Sequence, residues 1–237
     1  MYFIVFDMEF NLGEIIQIGA YRLDEDFNIL ATFNRYIKPS IYEDIEPRIT
    51  EMTQITTEQL QNEATFPQVY KDFISFTIDT DSVFCTWGMT DMKVLFRNAK
   101  HFHMDTNQLP KHFINIQPYV SEHLNQSRKK LLGLEKAIIS LDIPVSNVFH
   151  NALHDAYYTA MIFKKIYTPS MSPNKYDPNY TIVRPRQKKR VIDFEGLIKQ
   201  FEKMYERKMS NEETHMIKLA YKMGYTHQFI KEDLSSD

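Results

Sequence analysis

Tyr2-Phe3-Ile4-Val5-Phe6-Asp7-Met8-Glu9-Phe10 is the stretch whose reading decides the fold. Five apolar residues run directly into Asp-x-Glu. A continuous apolar run rich in aromatic and β-branched residues reads as a central strand buried on both faces. Side chains alternate along a strand, so Asp7 and Glu9 point to one side, roughly 7 Å apart at Cα. Two carboxylates so placed raise each other's pKa unless an Arg, a Lys or a divalent metal neutralises them. Taken alone, Asp-x-Glu is more often a strand edge facing water, so the pair carries weight only if other elements bring further ligands to it.

Outward from that strand, Glu14–Leu23 and Phe27–Ile37 read as two more strands, joined by the short turns at Asn11-Leu12-Gly13 and Asp24-Glu25-Asp26. The three form an antiparallel meander. Short helical pieces are expected at Thr50–Met52 and Thr56–Leu60, and a longer helix over Phe66–Phe76 with Pro67 in its first turn. Ser82–Trp87 is a fourth strand ended by Gly88, with Thr90 capping a helix over Asp91–Lys100. Phe113–Ile116 is a fifth strand, Lys130–Leu141 a helix, and a last helix runs from about Asn151 to Tyr167. A meander followed by strands alternating with helices is an α/β arrangement: a mixed five-stranded sheet with helices on its faces.

At 237 residues the chain holds one large domain and a small appendage. Residues 1–167 form the domain, and residues 168–190, with four prolines and no period, read as a linker. Residues 191–237 read as an all-helical C-terminal appendage, with Ser210 and Glu213 matching a capping box and Gly224 ending the last helix. Its amphipathic faces need a partner: the domain itself, a second copy, or another protein. Residues 1–167 carry 15 basic and 21 acidic side chains, and residues 168–190 carry six and one. An acidic body with a basic segment (Arg184–Arg190) suits an enzyme that holds cations and touches nucleic acid locally. No stretch approaches the ~18 apolar residues of a membrane span. The N-terminal run lacks a basic flank, and the single Cys85 sits in an apolar run, so a reduced, cytoplasmic protein is expected.

Two further stretches bear on Asp7 and Glu9. Asp91 lies just past the fourth strand, where α/β sheets form sites. Taken alone it reads as an acid on a helix dipole, and Asp79 and Asp81 compete for its role from before the strand. His150-Asn151-Ala152-Leu153-His154-Asp155 opens the last domain helix. His150 precedes the helix, whereas His154 is turned about 100° from Asp155. Asp7, Glu9, Asp91 and Asp155 with one imidazole are the ligand set that two hard divalent cations need. A histidine of ordinary pKa near 6.5 suits taking a proton from an attacking water.

Asp-x-Glu on strand one, an Asp after strand four and His-x4-Asp on a late helix resemble the DEDDh group of 3′–5′ exonucleases. Phe6–Asn11, Glu14–Gly19, Tyr36–Pro39, Thr65–Val69 and Trp87 with Asp91-Met-Lys are similar to the KapD-like and enhanced-RNAi (histone mRNA 3′-end) exonucleases. The resemblance covers residues 1–167. It implies a ribonuclease H-like fold and two divalent ions, Mg²⁺ or Mn²⁺, on Asp7, Glu9, Asp91 and Asp155. It further implies His150 as general base and a substrate that is single-stranded RNA or DNA with a free 3′ end, RNA favoured. Asn11 and Asn151 stand where many members carry Thr and a basic residue. Base stacking is assigned to Met8, Phe10, Met52 and Trp87. Two other readings stand beside this one: a regulator built on a nuclease scaffold, in the manner of a sporulation inhibitor, and a proofreading-type DNA exonuclease.

Overall fold

A computed structural model of the protein describes residues 1–77, 82–179 and 192–226. Asp79, Asp81 and the basic Arg184–Arg190 segment therefore lie outside the described residues. The chain divides into two compact units, Met1–Tyr180 and Thr181–Asp237.

The first unit is built on strands β1 (Phe3–Asn11), β2 (Glu14–Leu23), β3 (Ile29–Tyr36), β4 (Val83–Thr86), β5 (His112–Asn115) and β6 (Asn174–Lys175). Its helices are α1 (Pro47–Thr53), α2 (Thr57–Leu60), α3 (Phe66–Thr77), α4 (Thr90–His101), α5 (Gln117–His123), α6 (Leu134–Ser140) and α7 (Ala152–Ile166). The sheet order is β3-β2-β1-β4-β5-β6. β1, β2 and β3 pair antiparallel, β4 joins β1 in parallel, and β5 joins β4 in parallel. β1 is thus the central strand, flanked on both edges, which its unbroken apolar run requires. Its even residues Ile4, Phe6 and Met8 enter a core that includes residues of α3 and α4, while Phe3 and Val5 enter a second core with α6 and α7. Cys85 of β4 sits opposite Val5 and is buried.

The sheet differs from the expected one by a sixth strand. β6 lies in the segment read as a linker and pairs antiparallel with β5. Tyr176 packs against the rings of Phe96 and Phe113, and Met171 is buried, so this part of the segment is folded onto the sheet. Phe27 falls outside β3: at φ 62° it turns the chain and stacks its ring on Phe3. Helix α5, with Pro118 in its first turn, is absent from the sequence reading. α6 begins at Leu134 rather than Lys130: the Lys130 amide closes a turn on the Ser127 carbonyl, and Ser121 Oγ and Gln117 Nε2 donate to the carbonyls of Lys130 and Leu132. Met89, not Thr90, is the N-cap residue of α4, and it offers no side-chain cap.

The second unit, described by itself, is a pair of helices, α8 (Phe194–Tyr205) and α9 (Asn211–Tyr225). Asp193 caps α8, and Ser210 with Glu213 forms the expected capping box at α9. Gly224 lies inside α9 instead of ending it. No residue of either helix is buried.

Candidate active site

The site forms where β1 passes out of the core. A register shift after Glu9 marks the point at which the strand bends. Asp7 and Glu9 share the face that carries Phe3 and Val5 below them. Thr86 ends β4 and donates from Oγ1 to the carbonyl of Gly88 at 2.6 Å, closing a tight turn. Gly88 adopts φ 93°, a left-handed conformation that favours glycine. Asn115 Oδ1 accepts from the Gly88 and Gln117 amides, tying the turn to the end of β5. This turn launches α4, and Asp91 in its first turn is brought beside Asp7.

The fourth carboxylate comes from α7. Asn151 caps the helix, accepting from the amides of Leu153 and His154 at 3.1 and 3.4 Å. The buried Gln17 of β2 binds this cap from below. Its Nε2 donates to Asn34 and Asn151, and its Oε1 accepts from the Ala152 amide at 3.2 Å. Gly19 lets the helix end approach: a Cβ there would lie 2.2 Å from Leu153 N and 2.3 Å from Ala152 C. Helix seat and strand thus fit only without a side chain. Neither residue drew attention in the sequence, because the approach is tertiary and leaves no local signal.

Asp155 projects from this seated helix, and His150 precedes it. His150 adopts φ 62° and donates its backbone amide to Asp155 Oδ2 at 3.1 Å. Ligand atoms of Glu9, His150 and Asp155 all lie within 4.8 Å of one another. His154 points elsewhere: its Nδ1 meets the carbonyl of Val148 at 3.1 Å and pins the loop that carries His150. The choice between the two histidines is thereby geometric, and His150 is the one at the carboxylates.

The electrostatics show a site short of positive charge. Burial, then Asp91, Asp155 and Glu9, raises the Asp7 pKa well above the usual carboxylate range. Burial, then Asp155 and Asp91, lifts Glu9 to about 8. Burial lifts Asp91 to about 7, against backbone hydrogen bonds that lower it. Asp155 rises to about 6, also by burial, with the His150 amide and the two imidazoles opposing. No Lys or Arg is among the groups that shift these four carboxylates. Asp155 Oδ1 is buried with no hydrogen-bond partner. An orphaned oxygen amid four mutually repelling carboxylates fits hard divalent cations, which take oxygen ligands and cancel the repulsion.

The four residues assigned to base stacking part company. Met8 is 3 % exposed and belongs to the core containing α3 and α4, opposite the face of Asp7 and Glu9, so it offers no stacking surface. Trp87 is packed against the second core, with Nε1 buried and unpartnered. Phe10 keeps part of its surface, and Met52 on α1 is 43 % exposed. Around them the structure supplies supports whose contacts the sequence did not show. Asn11 donates to the Asp44 carbonyl and accepts from the Glu46 amide. The buried Glu14 accepts from the backbone amides of Ser40, Ile41 and Tyr42. Both hold the loop that leads into α1 against the end of the β1–β2 hairpin.

Known proteins agree with this geometry. The profile of the Exonuclease (RNase_T) family matches residues 4–163. The probable 3′-5′ exonuclease KapD of Bacillus subtilis (strain 168) is 27% identical over 155 residues, 65% of this chain and 73% of that protein. The PolC-type DNA polymerase III of Thermotoga petrophila is 28% identical over 173 residues, which span 68% of this chain and 11% of the polymerase. Among solved structures, the nuclease domain of 3′hExo, a DEDDh family member bound to rAMP, superposes with a TM-score of 0.64 at 22% identity. That likeness covers 74% of this chain and 96% of the other, and it shows the ribonuclease H-like fold. With a match that takes in β1 to β5, all four carboxylates and most of α7, the chain belongs to the Exonuclease (RNase_T) family.

Proposed function

We propose that the protein shortens single-stranded nucleic acid from its 3′ end by two-metal-ion hydrolysis, releasing nucleoside monophosphates, with RNA favoured over DNA. The observation that carries this reading is the set of four cation-starved carboxylates beside an exposed histidine. Asp7, Glu9, Asp91 and Asp155 would hold the divalent ions, Mg²⁺ or Mn²⁺. When bound, such ions polarise the phosphoryl oxygens, acidify a water and stabilise the leaving oxygen.

His150 accepts the proton of the attacking water. The water oxygen forms a bond to the terminal phosphorus, and the bond from phosphorus to the 3′ oxygen breaks. The 3′ oxygen is left as the hydroxyl of the shortened strand after taking a proton from solvent. The left-handed backbone at His150 and the pin from His154 keep the imidazole over the carboxylates, which lowers the entropic cost of the proton transfer. Phe10 and Met52, with surface left to offer, are the stacking residues of this reading. The preference for RNA is supported by the rAMP found in the related nuclease domain. The polymerase relative makes a DNA strand the competing substrate.

The test is digestion of 5′-labelled single-stranded RNA and DNA of one sequence with Mg²⁺, with Mn²⁺ and with chelator, beside Asp7→Asn. A ladder that shortens from the 3′ end, needs metal and vanishes in the variant is the expected result. Absence of turnover on both strands would overturn the reading and favour a regulator on a nuclease scaffold.

A further inference from the structure

Helix α7 meets β2 at the two positions that stand opposite the acids of β1. The register pairs Asp7 with Gly19 and Glu9 with Gln17. Directly opposed residues of an antiparallel pair turn their side chains to one face. Gln17 therefore shares the face of the carboxylates, and it is fully buried there. Gly19 receives the backbone of Ala152 and Leu153, and Gln17 receives the first turn of the same helix.

The Gln17 amide is bonded through both its nitrogen and its oxygen. Nε2 donates to Asn34 Oδ1 at 3.0 Å and to Asn151 Oδ1 at 3.4 Å, and Oε1 accepts from the Ala152 amide at 3.2 Å. The opposite orientation would set Nε2 against the Ala152 N–H, donor against donor, so the contacts fix which way the amide points. The first three amides of α7 have no carbonyl partner within the helix. Gln17 takes the first, at Ala152, and Asn151 Oδ1 takes the next two, at Leu153 and His154. The Asp155 amide then makes a helical bond to the Asn151 carbonyl at 2.9 Å. His150 and Asp155 bracket this turn, and the His150 amide is itself bonded to Asp155 Oδ2. One strand side chain thus holds the turn that carries two groups of the site, on the rung of the ladder that carries Glu9.

Close packing at Gly19 sets how near the helix lies to the sheet. Hydrogen bonds are directional, and those at Gln17 set where its first turn points. We propose that Gln17 is a positioning residue for hydrolysis: its amide holds the first turn of α7 and so sets His150 and Asp155 against Asp7 and Glu9. It acts through the helix end and contacts neither the substrate strand nor the ions. The proposal rests on the reading of the site as a 3′ exonuclease. Its leverage is large because a displacement of about 1 Å at reacting groups can cost about a hundredfold in rate.

Gln17→Met keeps the approximate volume and removes the amide. Val69→Ala, in the core on the other face of the sheet, is the control that lowers stability away from the site. For each full-length variant, kcat and KM on a labelled single strand are measured well below its melting temperature, and Mn²⁺ binding is followed by calorimetry. In Gln17→Met, kcat and Mn²⁺ affinity should each fall about tenfold or more, with KM changed by no more than about twofold, because Phe10 and Met52 do not ride on α7. Hydrogen exchange of the Ala152 amide, read by NMR in the metal-free protein, should lose its protection. Gln17→Glu keeps an acceptor for that amide but no donor for Asn151. There the protection should stay while kcat still falls, which keeps the test open if Gln17→Met does not fold. Turnover and Mn²⁺ affinity equal to wild type would overturn the proposal, as would an equal loss in Val69→Ala. A wild-type protein that binds Mn²⁺ but degrades neither RNA nor DNA would sink the exonuclease reading, and the fall in Mn²⁺ affinity would still report how Gln17 places Asp155.

Discussion

The two units of the chain are held together by opposite means. In the first, stability comes from a sheet buried on both faces, and that burial is strong enough to trap four carboxylates against one another. In the second, no helix residue is buried, and order comes from the ends and the surface. Asp193 and Ser210 cap the helices, Arg207 pairs with Glu213, Lys208 pairs with Glu202, and Phe194 meets Tyr221 edge-on. The first unit spends stability on a site; the second has little stability to spare. Function belongs where a core can carry repulsion, because unpaired buried charge costs several kcal/mol that only extensive packing offsets.

The sharpest way to break this contrast is to remove the repulsion. Asp7→Asn should abolish metal-dependent hydrolysis, a loss of about a thousandfold or more. The same change should raise the melting temperature of the metal-free protein, because one of the four mutually repelling charges is gone. A variant that is inactive and also less stable would contradict the account of the site as strained. His150→Ala acts on chemistry alone: turnover should fall about 10²- to 10⁴-fold, while calorimetric metal binding to the four carboxylates persists.

Next in size is the seat of α7. Gly19→Ala places a methyl group into the Ala152–Leu153 backbone and should destabilise the protein by about 1–3 kcal/mol in denaturant titration. Turnover should fall with it, since Asp155 and His150 move with the helix.

A pH series sharpens the comparison further. Glu9, Asp91 and Asp155 titrate near 8, 7 and 6 in the folded protein, above their unfolded values of 4.5, 3.8 and 3.8. Between about pH 4 and pH 8 the folded state therefore holds protons that the unfolded chain has released. The stability of the metal-free protein falls as pH rises through that window. Added Mg²⁺ or Mn²⁺ should raise the melting temperature more at pH 8 than at pH 5, by scanning calorimetry. An equal gain at both would mean the carboxylates are not the ligands.

The smallest effect belongs to the second unit. Ser210→Ala removes its capping box and should cost about 1 kcal/mol of local helix stability. Helical signal and hydrogen-exchange protection should drop in α9 alone, with turnover on the first unit's substrate unchanged.

The same contrast explains what was legible in the sequence. The capping box at Ser210 and the strands β1 and β2 are written locally, in side-chain spacing, and the structure has them where the spacing puts them. The alternation that placed Asp7 and Glu9 on one face also turned Met8 to the other, and that signal was available for excluding Met8. What stayed hidden is tertiary. β6 is two residues long and exists only because β5 offers an edge. Gly19 reads as an ordinary strand residue until α7 lies on it. Gln17 reads as a polar interruption of a strand until Asn34, Asn151 and the helix end arrive to satisfy it. The ends of α6 and α9 were missed because a hydrogen-bonded loop and a continuing helix override local propensity there.

Cys85 turns the central sheet into its own clock. It is the sole thiol of the chain, buried in β4 opposite Val5, two residues along β1 from Asp7. The sulfur lies in the core beneath α6 and α7, so a reagent reaches it when those helices lift from the sheet, and the rate of its alkylation under native conditions counts those openings. A cation held by Asp7 of β1 and Asp155 of α7 would tie that helix to the sheet, and the labelling rate would slow in step with its occupancy. The chemistry of the site would then be timed from inside the fold, by an atom that takes no part in it.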